Sequence, residues 1–331
     1  MSHTTVYVKN SMASYTPAET IELMSRSGAR KGMLRPDKIF LSAFSAGCMV
    51  AFCSGSALIA TASPWFQENA PGLVRMISGL VFPSGIVMIL ISGGELFTGS
   101  NMITGIAFYH GRLPFHKMLQ HWALCFMGNM AGALFVMAVI IGYGGVFDNP
   151  VFKQQAINSA IAKQLDPKWH QIFLRGIGCN WLVCLACYLG LQGKDVTSKV
   201  CGMWWPIFAF VTLGLEHVVA NMFFIPMGIF LGAPGISVGL YIYKGIIPTA
   251  LGNMIGGTVF CGLFYWYMYL YDEPEIALDG VFYQTQSQLE EGNLFTVRSG
   301  TIVEDGGGKS DNSSSGEIRG IPATTSTSKV Q

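Results

Sequence analysis

The sequence predicts an all-α polytopic membrane protein, with six transmembrane helices in two inverted repeats and with the second and fifth helices broken. Three observations predict it. Of the 331 residues, 51% are hydrophobic and only 12% are charged, about half the charged fraction of a soluble domain. Apolar runs long enough to cross a hydrocarbon core recur through residues 39–271. Two short frames also occur twice, in the same order. Gly93-Gly94-Glu95…Asn101-Met102 returns as Gly214-Leu215-Glu216…Asn221-Met222, one residue shorter, and Gly128-Asn129-Met130-Ala131-Gly132 returns as Gly252-Asn253-Met254-Ile255-Gly256. The net charge of +1 makes no case for nucleic acid, and the 40 glycines suit close helix packing in lipid.

Residues 1–38 are polar and without an apolar core segment, so no cleavable signal peptide is expected. Thr16-Pro17-Ala18-Glu19 reads as a helix start, with Thr16 as N-cap, Pro17 in the first turn and Glu19 closing a capping box. A short amphipathic helix through about Arg30 is expected at the membrane face.

Six spans follow over residues 39–62, 75–108, 118–143, 170–192, 200–232 and 243–271, which together form the membrane domain. The second and fifth exceed the about 20 residues of one crossing. Each carries Gly and polar residues at its middle, the sign of a broken helix. Residues 272–331 end in a Gly/Ser/Thr-rich tail too poor in apolar residues to fold alone.

Basic residues near span ends favour the side that carries Arg26, Arg30, Lys31, Arg35, Lys38, Arg112, Lys117, Lys194 and Lys199. The opposite side carries Arg75, Lys153, Lys163, Lys168, Arg175 and Lys244. Both termini are therefore expected in the cytoplasm. All eight cysteines fall in predicted spans, and Cys184-Leu185-Ala186-Cys187 lacks the soluble context of a redox motif, so they read as small packing residues.

Of six acidic residues between 39 and 271, only Glu95 and Glu216 lie within spans, both beside a predicted break. His217 is expected to be the one histidine far from a membrane surface, with His110, His116, His121 and His170 at span ends. A charge at the bilayer centre costs at least about 2.5–3.5 kcal/mol on insertion scales, so these groups need a cavity or an internal partner. Glu95 and Glu216 have a structural reading, the capping of amides exposed at the breaks. For His217 a hydrogen-bonded structural imidazole and one facing a pore are both open.

At this point the motifs carry a resemblance. Gly93-Gly94-Glu95-Leu96-Phe97-Thr98-Gly99 and Gly176-Ile177-Gly178-Cys179-Asn180-Trp181-Leu182-Val183-Cys184-Leu185-Ala186 resemble the two signature motifs of the formate/nitrite transporter family. Glu216-His217…Ala220-Asn221-Met222-Phe223-Phe224-Ile225-Pro226-Met227-Gly228 is similar to the segment around that family's central histidine. The tail is most similar to fungal nitrite transporters.

The resemblance implies a homopentamer of aquaporin-like protomers in lipid, each with its own pore, with no cofactor and no enzymatic activity. It implies small anions as substrates, with nitrite first and formate or hydrosulfide as alternatives, and protons as a possible partner. Carried over, His217 is the central pore histidine, Asn180 its hydrogen-bond partner and Thr98 the polar residue of the loop breaking span two. Phe82, Ile86, Leu96, Val183 and Phe210 become the apolar constrictions. Glu95, Glu216, Asn101 and Asn221 support the breaks. Lys163 or Lys168 serves the outer vestibule.

These roles are physically coherent. A vestibule lysine concentrates anions, apolar slits exclude bulk water, and donors between them receive the desolvated ion. Because an unperturbed imidazole titrates near pH 6.5, anion and proton could meet at His217, while a plain anion channel with neutral His217 is the rival mechanism. Two other classes compete. A membrane metal or redox enzyme would join His217 to Cys179, Cys184 or Cys187, although no compact metal-binding spacing appears in the sequence. A neutral-solute channel would share the inverted repeat but normally shows Asn-Pro-Ala, where this chain has Asn101-Met102 and Asn221-Met222.

Overall fold

The computed structural model describes residues 14–284. Within them the chain is helical, and the two expected breaks set its plan. Helix α1 (Pro17–Gly32) carries the capping box foreseen at Thr16 and Glu19, with both reciprocal hydrogen bonds formed. The membrane-length helices are α2 (Pro36–Ala60), α3 (Pro71–Ser92), α5 (Phe115–Gly142), α7 (Trp169–Gln192), α8 (Val196–Leu213) and α10 (Val238–Tyr269). Two shorter helices, α4 (Phe97–Tyr109) and α9 (Val218–Phe230), complete spans two and five after the breaks. The expected spans therefore hold, with ends displaced by a few residues.

The Gly-Asn-Met-x-Gly frames explain the closest helix contacts. A Cβ on Gly132 of α5 would meet the Phe44 carbonyl oxygen of α2 at 2.0 Å, and one on Gly256 of α10 would meet the Ile177 carbonyl oxygen of α7 at 2.3 Å. Only a residue without a side chain allows backbones to approach so closely. The contacts α2–α5 and α7–α10 are thus the same contact made once per repeat. Large apolar side chains such as Leu41, Met127, Ile140, Leu174 and Trp205 stand exposed on the outside of the bundle, as a lipid-facing surface requires.

Helix α1 is amphipathic and packs its apolar face into the bundle: Ile21 and Met24 are fully buried, and Gly28 packs so tightly on α4 that a Cβ there would stand 2.1 Å from the Ile103 carbonyl oxygen. Its polar Glu22 is buried too, held by Arg26 (2.6 Å) and by Arg112 (2.7 Å). The first residues of the C-terminal segment, up to residue 284, also pack against the bundle. Arg26 donates to the carbonyls of Ile276 (2.9 Å) and Val281 (3.0 Å), and the Arg112 guanidinium sits 4.1 Å from the Tyr283 ring centre. The Gly/Ser/Thr-rich tail itself lies outside the described residues.

One element is new. Helix α6 (Pro150–Gln164) occupies what reads as a loop between spans three and four. Asn149 caps it by accepting the Val151 N–H, and Pro150 stands in its first turn. The Asn-Pro pair is a helix-start signal, but the low hydrophobicity that follows hides it from a search for spans.

Candidate functional site

The site grows out of the two breaks. Helices α3 and α8 end at Gly93 (φ 79°) and Gly214 (φ 71°), in the left-handed conformation that glycine adopts without strain. Four residues later α4 and α9 begin, at Phe97 and Val218, so each break is a four-residue turn whose third residue is a glutamate.

Each turn is held by one asparagine. The Asn129 side-chain amide donates to the carbonyls of Ala43 (2.8 Å) and Glu95 (2.9 Å), and its oxygen accepts the Phe97 N–H that opens α4 (2.9 Å). Asn253 repeats this on the other half. It donates to the carbonyls of Gly176 (2.8 Å) and Glu216 (3.0 Å) and accepts the Val218 N–H that opens α9 (2.9 Å). Each amide is spent on backbone, and satisfies the carbonyl of the turn and the first N–H of the helix after it, groups exposed by the break.

The expectation that Glu95 and Glu216 cap the helix amides is thereby corrected. Their carboxylates form ion pairs instead, Glu95 with Lys31 at 2.7 Å and Glu216 with Lys163 at 3.1 Å. Asn101 and Asn221 are not equivalent either. Asn221 donates to the Glu216 carboxylate (2.8 Å), whereas Asn101 is 3.4 Å from the Asn180 amide and contributes nothing to Glu95. The extra residue in the first half turns Asn101 away. Ser100 takes the corresponding place, 3.3 Å from His121.

His121 is a further correction. Although only two turns into α5, it is fully buried, with Nε2 at 3.4 Å from Glu95 and 3.3 Å from Cys125 Sγ. Glu95, His121 and Cys125 thus bring three possible ligand atoms within 4.8 Å of one another. No sequence spacing announces this trio, and it does not involve His217. The Lys31 ammonium is already paired with the same carboxylate.

His217 is the last residue of the second break. Its Nδ1 accepts the Ala220 N–H at 3.0 Å, which makes the side chain the N-cap of α9. A nitrogen that accepts carries no proton, so the neutral ring has its proton on Nε2. That atom lies 3.0 Å from the Thr98 hydroxyl in the first turn of α4, joining the two broken helices across the repeat. The expected partner, Asn180, does something else. Its amide donates to the carbonyls of Thr98 (3.1 Å) and Asn253 (2.6 Å), bracing the backbone behind the site.

Two connected spaces meet at the imidazole. A vestibule of about 290 Å³ is lined by Arg75, Lys163, Arg175, Glu216 and His217, together with the rings of Phe82, Phe210 and Phe224. Below it lies a slit of about 10 Å³, bounded by Phe82, Ile86, Leu96, Val183, Phe210 and His217, with Val50, Cys53, Ile89 and Ile207 completing the wall. All five expected constriction residues therefore line one slit, not two. Phe82 and Phe210 meet edge to face with centres 5.8 Å apart, and the His217 ring stacks 6.0 Å from Phe210. Thr98 and Asn180 are fully buried and line neither space.

Of the two vestibule lysines, Lys163 lines the cavity, carried there by α6 and held by Glu216 and the Phe224 ring. Lys168 does not; it precedes α7 as that helix's N-cap. Arg75 and Arg175 are cavity residues that sequence reasoning counted only as flanking charge. Their signal was proximity to the second break, Arg75 reaching it from the other half and Arg175 from the preceding span, which a linear sequence does not display.

An inverted repeat whose broken helices meet at mid-membrane builds a passage between two compartments, so fold and site define a membrane transport protein. The pattern of the family described as "Formate/nitrite transporter" matches residues 18–267, and the chain belongs to that family. It is 36% identical over 268 residues to a probable formate transporter of Methanothermobacter thermautotrophicus, covering 77% of this chain and 97% of that one. It is 34% identical to the formate channel FocA of Haemophilus influenzae, covering 78% and 96% respectively. Among solved structures, an "FNT family ion channel" superposes with TM-score 0.69 at 28% identity, covering 76% of this chain and 98% of that one. A "pentameric formate channel with formate bound" gives 0.63 at 28% identity, covering 71% and 98%.

Proposed function

We propose that the chain conducts small planar monovalent oxyanions, nitrite and formate, across the membrane through a pore in each protomer of a homopentamer. The observation that carries this reading is the sequence of spaces: a cation-lined vestibule and an apolar slit that share Phe82, Phe210 and the His217 ring. The vestibule gathers anions. The slit admits an ion only after it sheds water, and His217 supplies the hydrogen bond that offsets part of that loss. The pentamer follows the formate channel that this chain superposes on. Formate is named in several relatives, and nitrite rests on the likeness to fungal nitrite transporters. The vestibule faces outward, at the plasma membrane, with both termini in the cytoplasm.

The Ala220 N–H on Nδ1 favours the mechanism in which His217 stays neutral. An imidazolium would need a proton where that amide already donates. The ring acts instead as a fixed donor that exchanges the Thr98 hydroxyl for the passing anion at Nε2. The N-termini of α4 and α9 add positive potential near the same level. Uptake of nitrite, formate, acetate and nitrate into proteoliposomes tests the proposal. Rapid entry of the first two with slow entry of acetate is expected; equal entry of all four, or of none, contradicts it.

A further inference from the structure

Lys163 is the vestibule cation that the sequence nominates, yet its charge is already answered by Glu216 at 3.1 Å. The two other cations in the cavity are not answered. Arg75 and Arg175 both line it, and among the described residues neither guanidinium has a hydrogen-bond or ion-pair partner. They approach the second break from separate helices. Arg75 of α3 stands beside Gly214, where an added Cβ would be 3.4 Å from its Nη1, and the Arg175 backbone of α7 accepts the Glu216 N–H at 3.4 Å.

We propose that Arg75 and Arg175 make the vestibule a binding site for dianionic short dicarboxylates, which occupy it and block the pore. Three considerations lead there, and they rest on the anion-transport reading above. The cavity holds a surplus of two positive charges, which a dianion matches and a monoanion does not. Guanidinium groups present paired donors that suit carboxylate oxygens. The space above the slit is about 290 Å³ and the slit about 10 Å³, so a molecule with two carboxylates fits the first and is stopped at Phe82 and Phe210. A site that gathers small anions thereby also accepts larger ones that it cannot pass.

The test uses the full chain in cells, with malonate outside as competitor of labelled formate. Malonate is expected to inhibit uptake without entering. Arg75→Gln and Arg175→Gln should each raise the half-inhibitory concentration at least tenfold. Lys168→Gln, outside the cavity, should leave it unchanged, and monomethyl malonate, a monoanion of similar size, should inhibit far more weakly. Calorimetric titration of malonate into the purified protein should show one site per protomer that both arginine variants weaken; Arg75→Lys, which keeps the charge, covers the case of a poorly folded Gln variant. Absence of inhibition and of calorimetric binding, or inhibition equal in wild type and variants, overturns the proposal. If the wild type takes up neither formate nor nitrite, the transport reading fails, while the titration still decides whether the dianion site exists.

Discussion

His217 Nε2 lies 3.0 Å from the Thr98 hydroxyl, so one hydrogen bond ties the turn that opens α9 to the first turn of α4. This contact joins the two repeats at the point where both helices are broken. The ring it holds lines both the vestibule and the slit, while its other nitrogen is occupied by the backbone.

Removing the hydroxyl leaves that buried Nε2–H without its resting acceptor. An unsatisfied buried donor costs about 1–3 kcal/mol. Thr98→Val should therefore let the ring reorient and reduce anion uptake by roughly tenfold, while Thr98→Ser should retain most of it. Initial uptake rates in proteoliposomes check this, with protein amount normalised by immunoblot.

Asparagine can replace both functions of His217, because it is a good helix N-cap and its amide donates. His217→Asn should keep measurable, altered transport, whereas His217→Phe should abolish it. Both variants should still assemble as the wild type does on size-exclusion chromatography. Equal loss of uptake in both would point to a requirement for imidazole chemistry.

The edge-to-face pair of Phe82 and Phe210 sets the width of the passage. Phe210→Ala removes most of a ring from that constriction and should speed the entry of acetate and lactate, expected to be slow in the wild type. The check is the ratio of acetate to formate uptake, expected to rise about tenfold on opening an apolar constriction.

Asn129→Ala and Asn253→Ala test the architecture instead of the passage. Each deletes three hydrogen bonds to buried backbone. With single bonds worth about 1 kcal/mol and unsatisfied groups more, either variant should lower the melting temperature of the purified protein clearly, whereas Lys168→Gln should leave it unmoved. Intrinsic tryptophan fluorescence during heating reports the difference.

Much of the fold was legible because lipid imposes length and apolarity on every span, and because the two frames repeat in order. The breaks could be read from glycine and glutamate in the middle of overlong spans. What stayed hidden has a common cause: it depends on contacts between helices that are distant in sequence. Asn129 and Asn253 stand out as repeated letters, but their task appears only when each reaches the break in a neighbouring helix. His121 is near a span end in sequence and meets Glu95 only in space. The one-residue difference between the repeats concealed that Ser100, not Asn101, corresponds to Asn221. Helix α6, polar and outside the membrane-length runs, was missed although Asn149-Pro150 marks its start.

The charge carried per anion tests the central claim most directly. The purified protein in a planar bilayer, with a formate gradient and equal pH on both sides, should pass a current whose reversal potential follows formate and does not move when a pH gradient is imposed. Electroneutral uptake, with one proton accompanying each anion and no current, would contradict a neutral His217 acting only as a hydrogen-bond donor.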